Sequence, residues 1–228
     1  MTLRSPLDAL KASFKSRLDP DTLAYNVLAW GFGLIAGKPT VRRNALIRAR
    51  KDSSFTAEEL GMASLLPAQL LDAVQERWRP RSLLDIGCGV GRAMQYLSER
   101  GVECVGLEGS QPAIDASPVR SQIQRTNLNR PVALGRTFDV VWSYEVAEHI
   151  HAKYVDAFLE TLTTHGPVIV MSAAQPGQGG CGHFNEQPPE YWIAHIERRG
   201  FRYAAAEADA LHALSDEFAR NMMVFVKN

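Results

Sequence analysis

Apolar positions divide this chain of 228 residues into two regimes. Up to about residue 78 they recur at helical spacing. Leu7, Leu10, Phe14 and Leu18 share one face, and Leu23, Tyr25, Val27 and Leu28 continue to a break at Gly31 and Gly33. Residues 53–59 have the Ser/Thr-then-Glu composition of a helix start, and 67–78 read as a further helix. After Arg79-Pro80-Arg81 the pattern changes to short apolar runs separated by helical stretches. Strands are predicted at 82–85, 103–107, 120–126 (weak), 137–143 (strong), 167–172, 201–205 and 222–227. Helices are predicted at 92–100, 152–164, 190–199 and about 211–220. This alternation predicts an α/β fold, a mostly parallel sheet with helices on both faces. The expected organisation is a helical amino-terminal extension or cap over 1–78 and an α/β domain over 79–228.

Composition removes several function classes. The formal net charge is zero, so nothing global favours nucleic acid or an acidic membrane as partner. The local cluster of Arg42, Arg43, Arg48, Arg50 and Lys51 reads as a solvated helix face. Charged residues interrupt the first twenty positions, which argues against a signal peptide. Residues 28–36 are too few and too glycine-rich to span a bilayer. Cys88, Cys104 and Cys181 cannot all pair and form no Cys-x-x-Cys, which fits free thiols in a reducing cytoplasm.

The densest chemical signal is Asp85-Ile-Gly87-Cys88-Gly89-Val-Gly91, at the end of the first strand and ahead of a helix. Glycines let backbone turn tightly and approach a ligand, and the helix start then offers free N–H groups to it. The second strand ends at Glu108, where a carboxylate can accept from both hydroxyls of a ribose. A dinucleotide and S-adenosylmethionine both suit such a unit. The dinucleotide fingerprint needs a third glycine where Arg92 stands, and it does not include an acid at the position of Asp85. Asp-x-Gly-x-Gly-x-Gly resembles motif I of the class I S-adenosylmethionine-dependent methyltransferases. That resemblance covers about residues 80–228 and implies a Rossmann-like sheet of seven strands with the last one antiparallel. By it, Asp85, Gly87, Cys88 and Gly89 line the methionine and ribose end of S-adenosylmethionine, and Glu108 holds the ribose. Gly109 and Ser110 pass the adenine, Asn127 and Leu128 meet it where the family usually has an Asp, and Glu145 faces the cofactor's amino group.

Past the fourth strand comes Glu145-Val-Ala-Glu148-His149. On a helix these three side chains share a face, and two adjacent carboxylates repel unless a cation lies between them. His183 anchors a long glycine-rich loop after the fifth strand, with Asn185 and Gln187 as supporting groups. Glu-x-x-Glu-His with a distal His resembles the magnesium motif of the small-RNA 3′-terminal 2′-O-methyltransferases and a related motif in the ubiquinone-pathway O-methyltransferases. The resemblance implies a divalent ion on Glu145, Glu148, His149 and His183. Magnesium or manganese is expected, with iron(II) and cobalt(II) left open by the two histidines. Glu148, His149 and His183 would then be the catalytic set.

The competing reading is a metal-free enzyme acting on a hydroxyl, carboxyl or amine, with His149 as general base. Further alternatives are an RNA 2′-O-methyltransferase, a cofactor-binding partner without turnover, and a dehydrogenase. The expected acceptor is a hydroxyl on a small molecule or glycan. A homodimer through the amino-terminal helices is allowed. His151 and His165 are expected at the surface, and His195 and His212 as packed or exposed groups. Tyr191 and Trp192 are left between core and substrate contact, and Trp30, Phe32 and Leu34 read as a helix-packing patch.

Overall fold

A computed structural model describes residues 65–228 apart from Cys181. The helical pattern before residue 65, its basic cluster and the Trp30 patch lie outside the described residues. Helix α1 is Ala68–Trp78 and ends on Arg79 in the left-handed region, just before Pro80. Then follow β1 Ser82–Ile86, α2 Arg92–Ser98, β2 Glu103–Glu108, α3 Gln111–Asp115, β3 Ile123–Arg125 and β4 Val140–Ser143. The chain continues with α4 Val155–Thr164, β5 Val168–Ser172, α5 Pro189–Glu197, β6 Phe201–Tyr203, α6 Ala205–His212 and β7 Met222–Lys227. The strands form one seven-stranded sheet in the order β3-β2-β1-β4-β5-β7-β6. All pairings are parallel except those of β7, which runs antiparallel to β5 and β6. This is the expected α/β architecture, with the antiparallel last strand.

The sheet is buried on both faces, which is why its strands read as continuous apolar runs. Alternate residues serve opposite layers. Leu83, Trp142, Val170 and Val224 pack with Leu70, Leu71, Val74, Met94 and Leu97 on one side. Leu84, Val141, Ile169 and Phe225 pack with Phe158, Leu159, Leu162, Trp192 and Ile196 on the other. The apolar face of α1 thus belongs to the core of the α/β layers. Trp192 is fully buried and Tyr191 is packed beside it, so both serve the core.

Several local expectations change. The predicted helix at 211–220 is replaced by α6 at Ala205–His212 and a 3₁₀ turn at Ala219–Asn221. The weak third strand shrinks to Ile123–Arg125, after a 3₁₀ turn at Arg120–Gln122. His165 is 2% exposed, not at the surface. Its ring accepts from the Leu134 N–H and bonds the Thr161 carbonyl, tying the segment before β4 to α4.

The candidate active site

The site forms where β1, β2, β4 and β5 end, the edge at which open parallel sheets bind ligands. A single cavity of roughly 600 Å³ there is lined by Asp85, Gly87, Cys88, Gly89, Glu108, Gly109, Asn127, Leu128 and Glu145, and also by Glu148, His149 and His183. Ser110 stands behind this wall. It is buried, caps α3 by accepting from the Ala113 N–H, and donates its own N–H to Glu108 Oε1 at 2.7 Å. Glu108 Oε2 accepts from the Gly89 N–H at 2.8 Å, so one carboxylate joins the glycine turn to the end of β2. Asn127 is exposed at the cavity rim, and its side-chain oxygen accepts from the Asn129 N–H at 2.9 Å.

Two buried acids share the half of the cavity beside the glycine turn. Burial, with the nearby Glu108 charge second, pushes Asp85 up to about 8. Glu108 is also raised by burial, against the pull of the Ser110, Gly89 and Gly109 amides. A pair of buried carboxylates favours a ligand that brings positive charge. A sulfonium with its amino group supplies that.

Asp85 also makes stability depend on pH. Its folded pKa lies above the unfolded value of about 4, so the unfolded chain releases the proton first as pH rises. The contribution of Asp85 to stability is therefore full below about pH 4 and declines towards pH 8. Asp85→Asn is expected to flatten that decline in ligand-free protein, gaining on the order of 1–3 kcal/mol at neutral pH. Urea denaturation at a series of pH values reads this directly. An unchanged pH slope would show that Asp85 is not held protonated.

The second half of the cavity is built by the loops after β4 and β5. Ser143 and Ser172, both fully buried at the strand ends, fix them. The Ser143 hydroxyl donates to the Ile86 carbonyl, and the Ser172 hydroxyl accepts from the Glu145 N–H at 2.7 Å. Glu145 has φ 53°, a costly conformation for a residue with a side chain. A 3₁₀ turn, Ala147–His149, follows, in place of the helix on which the three side chains would share a face. Glu145 keeps its carboxyl beside Glu148 without joining Glu148, His149 and His183 in one cluster. Asn221 and Gln178 donate to its carboxylate at 3.1 and 3.2 Å, and it stands outside the group that the structure gathers.

That group is Glu148, His149 and His183, whose ligand atoms lie within 4.8 Å of one another. The β5 loop reaches the turn because the Phe184 and Asn185 N–H groups both donate to the Glu148 carbonyl, at 2.9 and 3.0 Å. Gln187 then donates to the buried Asn185 side chain. The two imidazoles meet edge to face, 5.0 Å apart, and His183 Nε2 lies 3.9 Å from Glu148 Oε1. His149 Nδ1 is 3.1 Å from the Gly182 carbonyl. A carbonyl only accepts, so Nδ1 carries the proton and the lone pair of the neutral ring is on Nε2. Burial, and then His183, lower His149 to about 4, so the ring is neutral at physiological pH.

Glu148 is 0% exposed, and neither carboxylate oxygen has a hydrogen-bond partner among the described residues. Burial, then the charge of Glu145, hold it well above the usual carboxylate range; the nearby Glu148 and Ala174 amides oppose this and the Glu145 side chain beside it adds to it. Buried orphan oxygens are costly unless something else satisfies them. A carboxyl group and two imidazoles are donors that suit a divalent cation.

Sequence reasoning missed three supports. Asn221 and Gln178 hold Glu145 from 76 and 33 residues away, with no local signal. Glu186, three residues after His183, meets its Nδ1 at 3.1 Å, and that spacing could have been noticed. His151 takes a local role, accepting from the Lys153 N–H, while His195 packs against Tyr191 and His212 bonds the Met222 carbonyl.

Residues 61–174, half of the chain, match the family described as Methyltransferase domain. The chain is 30% identical over 122 residues to tocopherol O-methyltransferase of Arabidopsis thaliana, covering 48% of this chain and 34% of that one. It is 27% identical over 109 residues to norajmaline N-methyltransferase of Rauvolfia serpentina (42% and 37%). It is also 27% identical over 123 residues to ubiquinone biosynthesis O-methyltransferase of Cereibacter sphaeroides (50% and 45%). Each match spans under half of the relative's length. In fold, it is similar to S-adenosylmethionine-bound CalS10, an amino pentose methyltransferase from Micromonospora echinaspora, at TM-score 0.58 and 15% identity over 76% of this chain and 98% of that one. With its glycine turn, paired buried acids and seven-stranded sheet, the chain belongs to the class I S-adenosylmethionine-dependent methyltransferases.

Proposed function

We propose that this chain is an O-methyltransferase in which Glu148, His149 and His183 hold a divalent cation beside the methyl donor. The observation that carries the reading is Glu148: two buried, unsatisfied carboxylate oxygens beside two imidazoles, in the cavity that also holds Glu108 and the glycine turn. S-adenosylmethionine brings an electrophilic methyl group, so the protein's task is alignment and activation of the acceptor. A cation at this cluster would acidify and orient an acceptor hydroxyl. Glu148 would supply charge and the two histidines ring-nitrogen donors. Glu145, fixed by Asn221 and Gln178, would shape the field around Glu148. Two imidazoles and one carboxylate favour manganese(II), iron(II) or cobalt(II) over magnesium, which prefers oxygen donors.

The acceptor proposed is a hydroxyl on a small molecule, in keeping with the names of the tocopherol and ubiquinone relatives. A glycan hydroxyl belongs in the same test. Nucleic acid is disfavoured by the zero net charge and by the acids Asp85, Glu108, Glu145, Glu148 and Glu217 in the cavity wall. Among the described residues no helix is long and apolar enough to cross a membrane. The norajmaline relative acts on nitrogen by name, which keeps a metal-free N-methyltransferase as the contrasting reading. A His149 lowered to about 4 is a weak general base near neutrality, which counts against that reading.

Chelation separates the two. Protein stripped of metal and assayed with a panel of catechols, diols, sugars and amines should lose turnover and recover it with manganese(II). Undiminished turnover of the stripped protein would remove the cation from the chemistry.

A further inference from the structure

We infer that Glu186 is the positioning residue of this site, fixing His183 as its Nδ1–H tautomer and moulding the glycine loop onto both imidazoles. The consequence for a cation rests on the function proposed above; the tautomer does not. Glu186 Oε1 accepts from the Gly179 N–H at 2.7 Å and meets His183 Nδ1 at 3.1 Å. Its Oε2 accepts from the Gly177 N–H at 2.9 Å. One partly buried carboxylate thus gathers three donors from both ends of the loop. An ionised carboxylate only accepts, so the proton is on Nδ1 and the Nε2 lone pair is the one near Glu148 Oε1.

The loop backbone presses on the rings. A Cβ built on Gly180 would fall 2.2 Å from His183 Nε2, and one on Gly182 would fall 3.0 Å from His149 Nδ1. Ring placement and loop path are therefore set together. Glu186 is the side chain that bonds both the loop backbone at Gly177 and Gly179 and the His183 ring. A negative charge behind an imidazole also makes its far nitrogen a better donor to a cation.

Ring-nitrogen NMR of the full-length, metal-free protein tests this, with His183 assigned through His183→Asn. The wild type should show the Nδ1–H pattern at His183. Glu186→Ala should move it towards Nε2–H or an average of the two. Glu186→Gln, whose amide oxygen can still accept, should retain Nδ1–H. Manganese(II) affinity by calorimetry should fall about 10–100-fold in Glu186→Ala and less in Glu186→Gln. An Nε2–H wild type overturns the inference without any variant, as does a Glu186→Ala protein that keeps the Nδ1–H pattern. A tautomer that responds as described, in a wild type that binds no manganese(II), would uphold Glu186 and remove the cation reading alone.

Discussion

Glu148→Gln should leave a folded protein that binds cofactor and turns over on the order of 10³-fold more slowly, the loss expected when several kcal/mol of charge stabilisation goes. Glutamine keeps the volume of a residue that is 0% exposed, so the core around Ala147 and Ile150 is not emptied. It removes the acid from the Glu148, His149 and His183 group and leaves the amide facing two imidazoles. The cofactor half is untouched, because Glu108 bonds Gly89 and Ser110 and not this turn. Affinity for S-adenosylhomocysteine by calorimetry should therefore stay within a few-fold. Glu108→Ala should show the opposite split, with cofactor binding lost first and turnover at saturation largely kept. If both variants lose binding and turnover together, the two halves of the cavity are not separable and the assignment of roles fails.

Gly87→Ala carries the second large expected effect, and here the cost is steric. Gly87 has φ +80°, and an added Cβ would lie 2.5 and 2.8 Å from the two methyl carbons of Val146. The left-handed backbone and the overpacking together should cost about 2–4 kcal/mol. Val146 precedes the turn that carries Glu148 and His149, so relieving the clash displaces that turn. The glycine turn and the proposed catalytic turn are thus packed against each other. Thermal denaturation should show a drop of several degrees, accompanied by loss of both cofactor affinity and turnover. Adding Val146→Ala should recover part of the stability by removing the methyl groups, while the cost of the positive φ stays. Full stability in Gly87→Ala would mean that the turn is not pinned as described.

Most of the fold was legible because both faces of the sheet are covered. Leu83 with Leu84, and Ile169 with Val170, are buried in opposite layers, so β1 and β5 read as unbroken apolar runs. Strand β3 was faint because it is an edge of three residues, two of them exposed. Helix α6 was misplaced because its buried face is only Ala208 and Leu211, too small a stripe to announce a period. His165 looked like a turn residue, since Leu134, whose amide it accepts from, is 31 residues away. The glycine turn and Glu108 could be found because their chemistry is local to one strand–turn–helix–strand unit. The sequence placed Glu148, His149 and His183 together, as the structure does, but by way of a helical face where the chain forms a 3₁₀ turn. What brings His183 to Glu148 is a pair of backbone hydrogen bonds to the Glu148 carbonyl, and what holds Glu145 in place is Asn221 in the turn before β7. Neither leaves a trace in spacing or composition.

Crystals grown with manganese(II) and S-adenosylhomocysteine, with diffraction recorded at the manganese absorption edge, put the question to the site itself. One anomalous peak bonded jointly by Glu148, His149 Nε2 and His183 Nε2 is the predicted result. A map that is flat between those three side chains in well-ordered, product-bound crystals would contradict it.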